Sequence, residues 1–148
     1  MQEIEVLPDY FAICLVGHGT RDKNGINEFL ALSSKLKDRE PDRVIECGFL
    51  GLAEPTFEEA ITKCVEGGIN NIVVIPALLI SASHAKKDIP DIVINMTKMY
   101  PALNIKYGRP LGIHPKILKV CSERIETAEN NSISSITRTE TLLMTVAH

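Results

Sequence analysis

The amino-acid sequence predicts an α/β protein, a three-layer sandwich on a mainly parallel sheet of four to five strands. Three observations carry this. Short apolar runs beginning at Ala12, Val44, Asn71 and Leu103 alternate with longer segments of helical periodicity. The first run does not alternate apolar with polar, which fits a strand buried on both faces. Glycine and proline cluster between the segments, where the chain must turn.

Residues 1–10 form a polar lead-in, with Pro8 just before the first strand. That strand, Ala-Ile-Cys-Leu-Val-Gly, stops at His18, which stands between Gly17 and Gly19. Glycine there lets the backbone turn sharply and approach a ligand closely. Residues 24–38 follow as a helix, with Ile26, Phe29, Leu30, Leu32 and Leu36 on a broad apolar face, and Pro41 ends the element. Residues 44–50 are the second strand. Glu46 lies inside that run, so it either faces solvent or is paired.

After a turn containing Glu54 and Pro55, Thr56 and Glu59 have the spacing of a capping box. The helix they open runs to Glu66 and stops at Gly67 and Gly68. Residues 71–80 are the third strand, with Pro76 placed where no ladder bond is needed. A loop over residues 81–90 carries Ser81, Ala82, Ser83 and His84. Residues 91–99 are the third helix and 103–107 the fourth strand. A fourth helix starts at His114 or Pro115 and reaches about Thr127, with His114 in a structural cap or turn role.

Residues 1–129 thus form one lobe, and residues 130–139 read as a linker rich in Ser, Asn and Thr. The end of the chain, Leu-Leu-Met-Thr-Val-Ala-His148, repeats the pattern of Ala12 to His18. It is either an edge strand of this lobe or the first strand of a second, similar lobe.

Composition narrows the function classes. The 148 residues carry a formal net charge of -3, with no tryptophan and 5% aromatic residues. That disfavours a nucleic-acid partner, which calls for a basic face and stacking platforms. No apolar run has the roughly 20 residues needed to span a membrane. Cys14, Cys47, Cys64 and Cys121 are scattered, without a Cys-x-x-Cys pair, and no secretory leader is visible. The expectation is a cytoplasmic protein whose Cys14 and Cys47 are buried thiols.

Chemistry rests on the histidines. His18 ends the first strand and His84 follows the third, so in a parallel sheet both lie at the edge where open α/β sheets bind ligands. Two neutral imidazoles on one cleft can hold a divalent transition metal or accept protons from a substrate. On spacing alone, a strand-end histidine is more often a loop residue bonded to backbone than a ligand. Gly17, Gly19, Ser81, Ala82 and Ser83 leave room for a large ligand. Glu54 is a third ligand, a proton acceptor, or a residue serving the next helix. Arg21, Lys86 and Lys87 are placed to meet an anionic ligand or are solvated surface charges.

Four motifs in order carry a family resemblance. They are Val16-Gly-His-Gly-Thr-Arg-Asp22, Gly48-Phe-Leu-Gly-Leu-Ala-Glu-Pro-Thr56, Pro76-Ala-Leu-Leu-Ile-Ser-Ala-Ser-His84 with Lys87-Asp-Ile-Pro90, and Pro110-Leu-Gly-Ile-His-Pro115. Residues 11–128 resemble the sirohydrochlorin cobaltochelatases of the small CbiX type, class II tetrapyrrole chelatases. The resemblance implies a chelatase-like lobe that inserts Co²⁺ into sirohydrochlorin without ATP, as in anaerobic cobalamin biosynthesis. The metal is then a substrate, and no prosthetic group is implied.

Related members insert Fe²⁺ or Ni²⁺, and a non-catalytic tetrapyrrole- or metal-binding lobe is the contrasting reading. The resemblance makes His18 and His84 the metal and proton handlers. Gly17, Gly19, Arg21, Glu54, Ser81, Ala82 and Ser83 would line the substrate, over an apolar floor of Leu78, Leu79 and Ile80. Many relatives carry an acidic residue where this chain has Gly51. A homodimer, or a second lobe in a longer chain, would enclose the cleft.

Overall fold

Strand β1 (Ala12–Gly17) is buried at all six of its residues. This holds in the computed structural model, which describes residues 10–79, 83–132 and 137–140, with the backbone alone at 83–86. The elements that follow are α1 (Lys23–Arg39), β2 (Ile45–Phe49), α2 (Phe57–Glu66), β3 (Asn71–Pro76), α3 (Ser83–Met99), β4 (Asn104–Tyr107) and α4 (Pro115–Asn130). The chain forms two compact units, Met1–Gly112 and Ile113–His148.

In the first unit the strands lie in the order β2-β1-β3-β4, and every neighbouring pair is parallel. β1 is bonded on both edges, with Leu15 beside Cys47 on one side and Ile75 on the other. A parallel crossover is right-handed, so reversing direction across the sheet forces the connecting helix to the other face. The chain moves one way from β1 to β2, and the opposite way through β3 to β4. Accordingly α1 covers one face and α2 with α3 cover the other, which makes the three layers.

The alternation of side chains across β1 divides the core between those layers. Ile13, Leu15, Ile45 and Cys47 pack with Phe29, Leu30 and Leu36 of α1. Ala12, Cys14 and Val16 pack with Phe57, Ile61 and Cys64 of α2, and with Ile89 and Met96 of α3. Burying a side chain such as Phe57 stabilises the fold by about 1.5–3 kcal/mol. The predicted capping box on α2 is present, with Thr56 accepting from the Glu59 N–H at 3.2 Å and Glu59 accepting from the Thr56 N–H at 2.7 Å. Glu46, on the edge strand, is paired: its carboxylate lies 3.0 Å from Lys63 and 3.7 Å from Lys37.

Besides small shifts at the ends of β2, β4 and α4, three sequence expectations change. β3 ends at Pro76 rather than Ile80, because the chain leaves the sheet once the Ala77 N–H has reached the Val16 carbonyl at 2.8 Å. α3 begins at Ser83 rather than Asp91, with Pro90 inside it. Proline there leaves the Lys86 carbonyl without its usual donor. The neighbouring Ile89, fully buried, and Met96 anchor the helix on the sheet and offset that loss. Ser83 and His84 are therefore the first residues of a helix, not of a loop. Third, α1 begins at Lys23, one residue earlier than predicted, because Asp22 caps it.

In the second unit His114 caps α4, its Nδ1 accepting from the Lys116 N–H at 3.2 Å. Within the expected linker, Arg138–Glu140 is a short 3-10 turn, and Arg138 donates to Glu129 of α4 at 2.7 Å. The apolar run 142–148, and with it the fifth strand or second-lobe opening, lies outside the described residues. Among the described residues no helix is long and apolar enough to cross a membrane.

Cys14, Cys47 and Cys64 are buried and Cys121 is exposed. Burial, then the neighbouring Glu46 charge, raises the Cys64 thiol to about 11, and burial lifts Cys14 well above the usual 9.0. Iodoacetamide at pH 8 is expected to modify Cys121 in the native protein and the other three only on unfolding, as counted by mass spectrometry. Fast native labelling of Cys14 would contradict this packing. An acid raised on folding contributes its stability fully below the unfolded value near 9.0. That contribution is lost as pH rises toward 11, so the urea midpoint should fall over this window.

Candidate active site

The carboxyl ends of β1 and β3 are neighbours whose onward connections run to opposite sides of the sheet. Such a switch point opens the crevice where doubly wound sheets take their ligands. His18 follows β1 directly, and the segment after β3 leads into α3, whose second residue is His84. The topology thus assigns both histidines to the two connections that part at this crevice. Ser81 and Ala82 lie outside the described residues, and the side chains of Ser83 and His84 are not described.

The β1–α1 loop is tied down at several points. The Gly17 carbonyl accepts from the Leu50 N–H at 3.0 Å. Gly19 has φ +93, and a Cβ there would stand 1.7 Å from the Gly51 carbonyl oxygen. Only glycine permits both that conformation and that contact. Beyond it, Thr20 accepts from the Asp22 N–H at 3.1 Å, and the Asp22 carboxylate accepts from the Asn24 and Gly25 N–H groups, each at 3.2 Å. Asp22 is thereby the N-cap of α1. That role was readable from an aspartate just ahead of the apolar periodicity.

His18 is exposed, with Nδ1 3.2 Å from the Gly19 carbonyl oxygen. A carbonyl only accepts, so this bond places the ring proton on Nδ1 and leaves the Nε2 lone pair for a metal or a proton. Being held by backbone and being available as a ligand are therefore compatible at His18. His114 has the reverse arrangement, because its Nδ1 spends its lone pair on the Lys116 N–H.

Arg21 and Glu54 are exposed on the β1–α1 and β2–α2 loops, at the same sheet edge as His18. Leu78 is half-buried against the core and Leu79 is exposed, while Ile80 lies outside the described residues. Among the described residues, no three His, Cys, Asp or Glu side chains stand close enough to share a metal ion. A cleft of about 390 Å³ lies at the opposite, amino edge of the sheet, between Tyr10, Val44, Gly68 and Asn71. Its lining has no histidine.

The fold and the glycine-held histidine define a doubly wound α/β protein with His18 at the switch point. The chain belongs to the CbiX family, whose profile matches residues 12–128. It is 39% identical over 115 residues to a sirohydrochlorin ferrochelatase of Bacillus subtilis, which covers 78% of this chain and 44% of that protein. It is 33% identical over 120 residues to a sirohydrochlorin cobaltochelatase of Priestia megaterium, covering 81% of this chain and 39% of that one. The crystal structure of the sirohydrochlorin chelatase SirB from Bacillus subtilis subspecies spizizenii in complex with cobalt matches with a TM-score of 0.74 at 39% identity. That match covers 78% of this chain and 50% of that chain. The chain thus spans half or less of the length of these relatives.

The loop contacts predict a contrast between two glycines. Gly19→Ala is expected to destabilise by more than about 1 kcal/mol from its positive φ alone, with the backbone overlap adding to that. Gly51 has no atom within 4 Å of an added Cβ. Gly51→Ala is therefore expected to be neutral or to stabilise by about 0.4–1 kcal/mol. Urea denaturation of the two variants reads the difference, and equal midpoints would refute the loop contact.

Proposed function

We propose that this chain is a lobe of a chelatase that inserts a divalent metal ion into sirohydrochlorin. The observation that carries the reading is His18: a glycine-held imidazole at the switch point of a CbiX-family lobe, with Nδ1 tied to backbone and Nε2 left with its lone pair.

Insertion exchanges one divalent cation for two pyrrole N–H protons, so the site must handle a metal and accept protons. His18 binds the incoming ion or takes a proton at Nε2, and His84, on the neighbouring connection, supplies the second imidazole. Arg21, Lys86 and Lys87 meet the carboxylates on the rim of the macrocycle by charge-assisted hydrogen bonds. Glu54, on the same loop as Gly51, stands in for the carboxylate that Gly51 lacks and relays protons to solvent. A second copy of the chain, or a second lobe continuing past His148, closes the open edge over the substrate.

The metal we assign is Co²⁺, and the cobaltochelatase relative and the cobalt complex of SirB support it. Fe²⁺ is the second reading, supported by the 39% identity to a ferrochelatase. Imidazole donors alone do not choose between them, because both ions follow the same general affinity order.

Anaerobic incubation with sirohydrochlorin and Co²⁺, Fe²⁺ or Ni²⁺, followed by absorption, tests the proposal. The expected result is insertion faster than the metal-only control, fastest with Co²⁺. His18→Ala and His84→Ala are each expected to slow it by about a hundredfold or more, the usual weight of a positioned proton acceptor. No acceleration with any ion would overturn the function. Full activity in both variants would overturn the site.

A further inference from the structure

Leu52 has two features that nothing in the core explains. Its φ is +61, in the left-handed region that a leucine side chain disfavours. It is also 60% exposed and belongs to neither hydrophobic core. The residue before it is a glycine whose φ lies outside that region and whose missing side chain would meet no atom within 4 Å. The chain therefore places leucine where the backbone favours glycine, and glycine where the backbone tolerates a side chain. Strain of this kind in an exposed loop points to use rather than to folding.

Its position gives that use a direction. The Leu50 N–H is bonded to the Gly17 carbonyl and the Gly51 carbonyl is pressed against Gly19, so Leu52 directly follows the two points that fasten its loop to the His18 loop. On the other side of β1, the connection after β3 carries Leu79, which is 56% exposed. The loops on either side of His18 thus each present an exposed leucine, and Arg21 adds a cation in the His18 loop itself.

We infer that Leu52 is a substrate-positioning residue, packing with Leu79 against the apolar face of a flat, acid-rimmed macrocycle at His18. This deepens the function proposed above and rests on it. Two single leucines separated by a polar histidine loop suit an amphiphilic ring. A protein partner would call for a contiguous apolar patch.

The test uses Leu52→Gly and Leu52→Asn, since both residues accept a left-handed backbone. Metal-free sirohydrochlorin is titrated against each by absorption, alongside urea denaturation, sedimentation velocity and chelatase kinetics. The expected result is an unchanged or raised urea midpoint, an unchanged sedimentation profile and macrocycle binding weakened about tenfold, the scale of one lost leucine contact. KM should rise by a similar factor with kcat nearly kept, and Leu52→Met should restore both binding and KM.

Binding equal to wild type in both variants would overturn the inference and leave the proposed function standing. A lowered urea midpoint would make Leu52 a structural residue and overturn it. A changed association state with unaltered macrocycle affinity would overturn it in favour of a contact between copies. Failure of the wild-type chain itself to bind sirohydrochlorin would overturn the proposed function, and the inference with it.

Discussion

β1 is paired on both edges and buried on both faces, and the first unit is arranged around that one strand. A central parallel strand has no spare hydrogen-bonding edge and no solvent face, so it can meet a ligand only through the loops at its two ends. The reversal of chain direction between the β1–β2 and β3–β4 connections then separates the loops at that end. A glycine-rich exit is required because the neighbouring β2–α2 loop passes within backbone contact of it, at Gly19 and Gly51. Burial, handedness and close approach together place His18.

The four strands and four helices were legible because their signals are local: apolar runs, helical periodicity and the capping box of Thr56 and Glu59. The start of α3 was not. Pro90 reads as a boundary on propensity, but Ile89 and Met96 are held by the sheet, and tertiary packing overrides the local preference. The left-handed Leu52 was equally hidden, since no residue type announces it. His18 stands out in the sequence by its flanking glycines, whereas the tautomer that frees Nε2 depends on a hydrogen bond that sequence does not encode.

Gly51 and Leu52 shape the rim beside His18. Where many relatives of the resembling family place an acidic side chain, this chain has an open position backed by a carbonyl that locks the His18 loop. In the function proposed above, proton handling then falls to the imidazoles and to Glu54, farther along the same loop. Arg21 on the His18 loop supplies positive charge at this edge, although the whole chain has a formal net charge of -3. Steering by a local patch does not require a basic protein.

We propose that metal is handled at the carboxyl edge, beside His18, and not at the amino-edge cleft. Paramagnetic broadening of the amide signals of the ¹⁵N-labelled protein on adding Co²⁺ measures this directly. The strongest effects are expected at residues 17–21, 50–52 and 77–79, with residues 10–12 and 69–71 left sharp. Broadening centred on the amino-edge residues, or confined to the neighbourhood of His114 and Cys121, would contradict it.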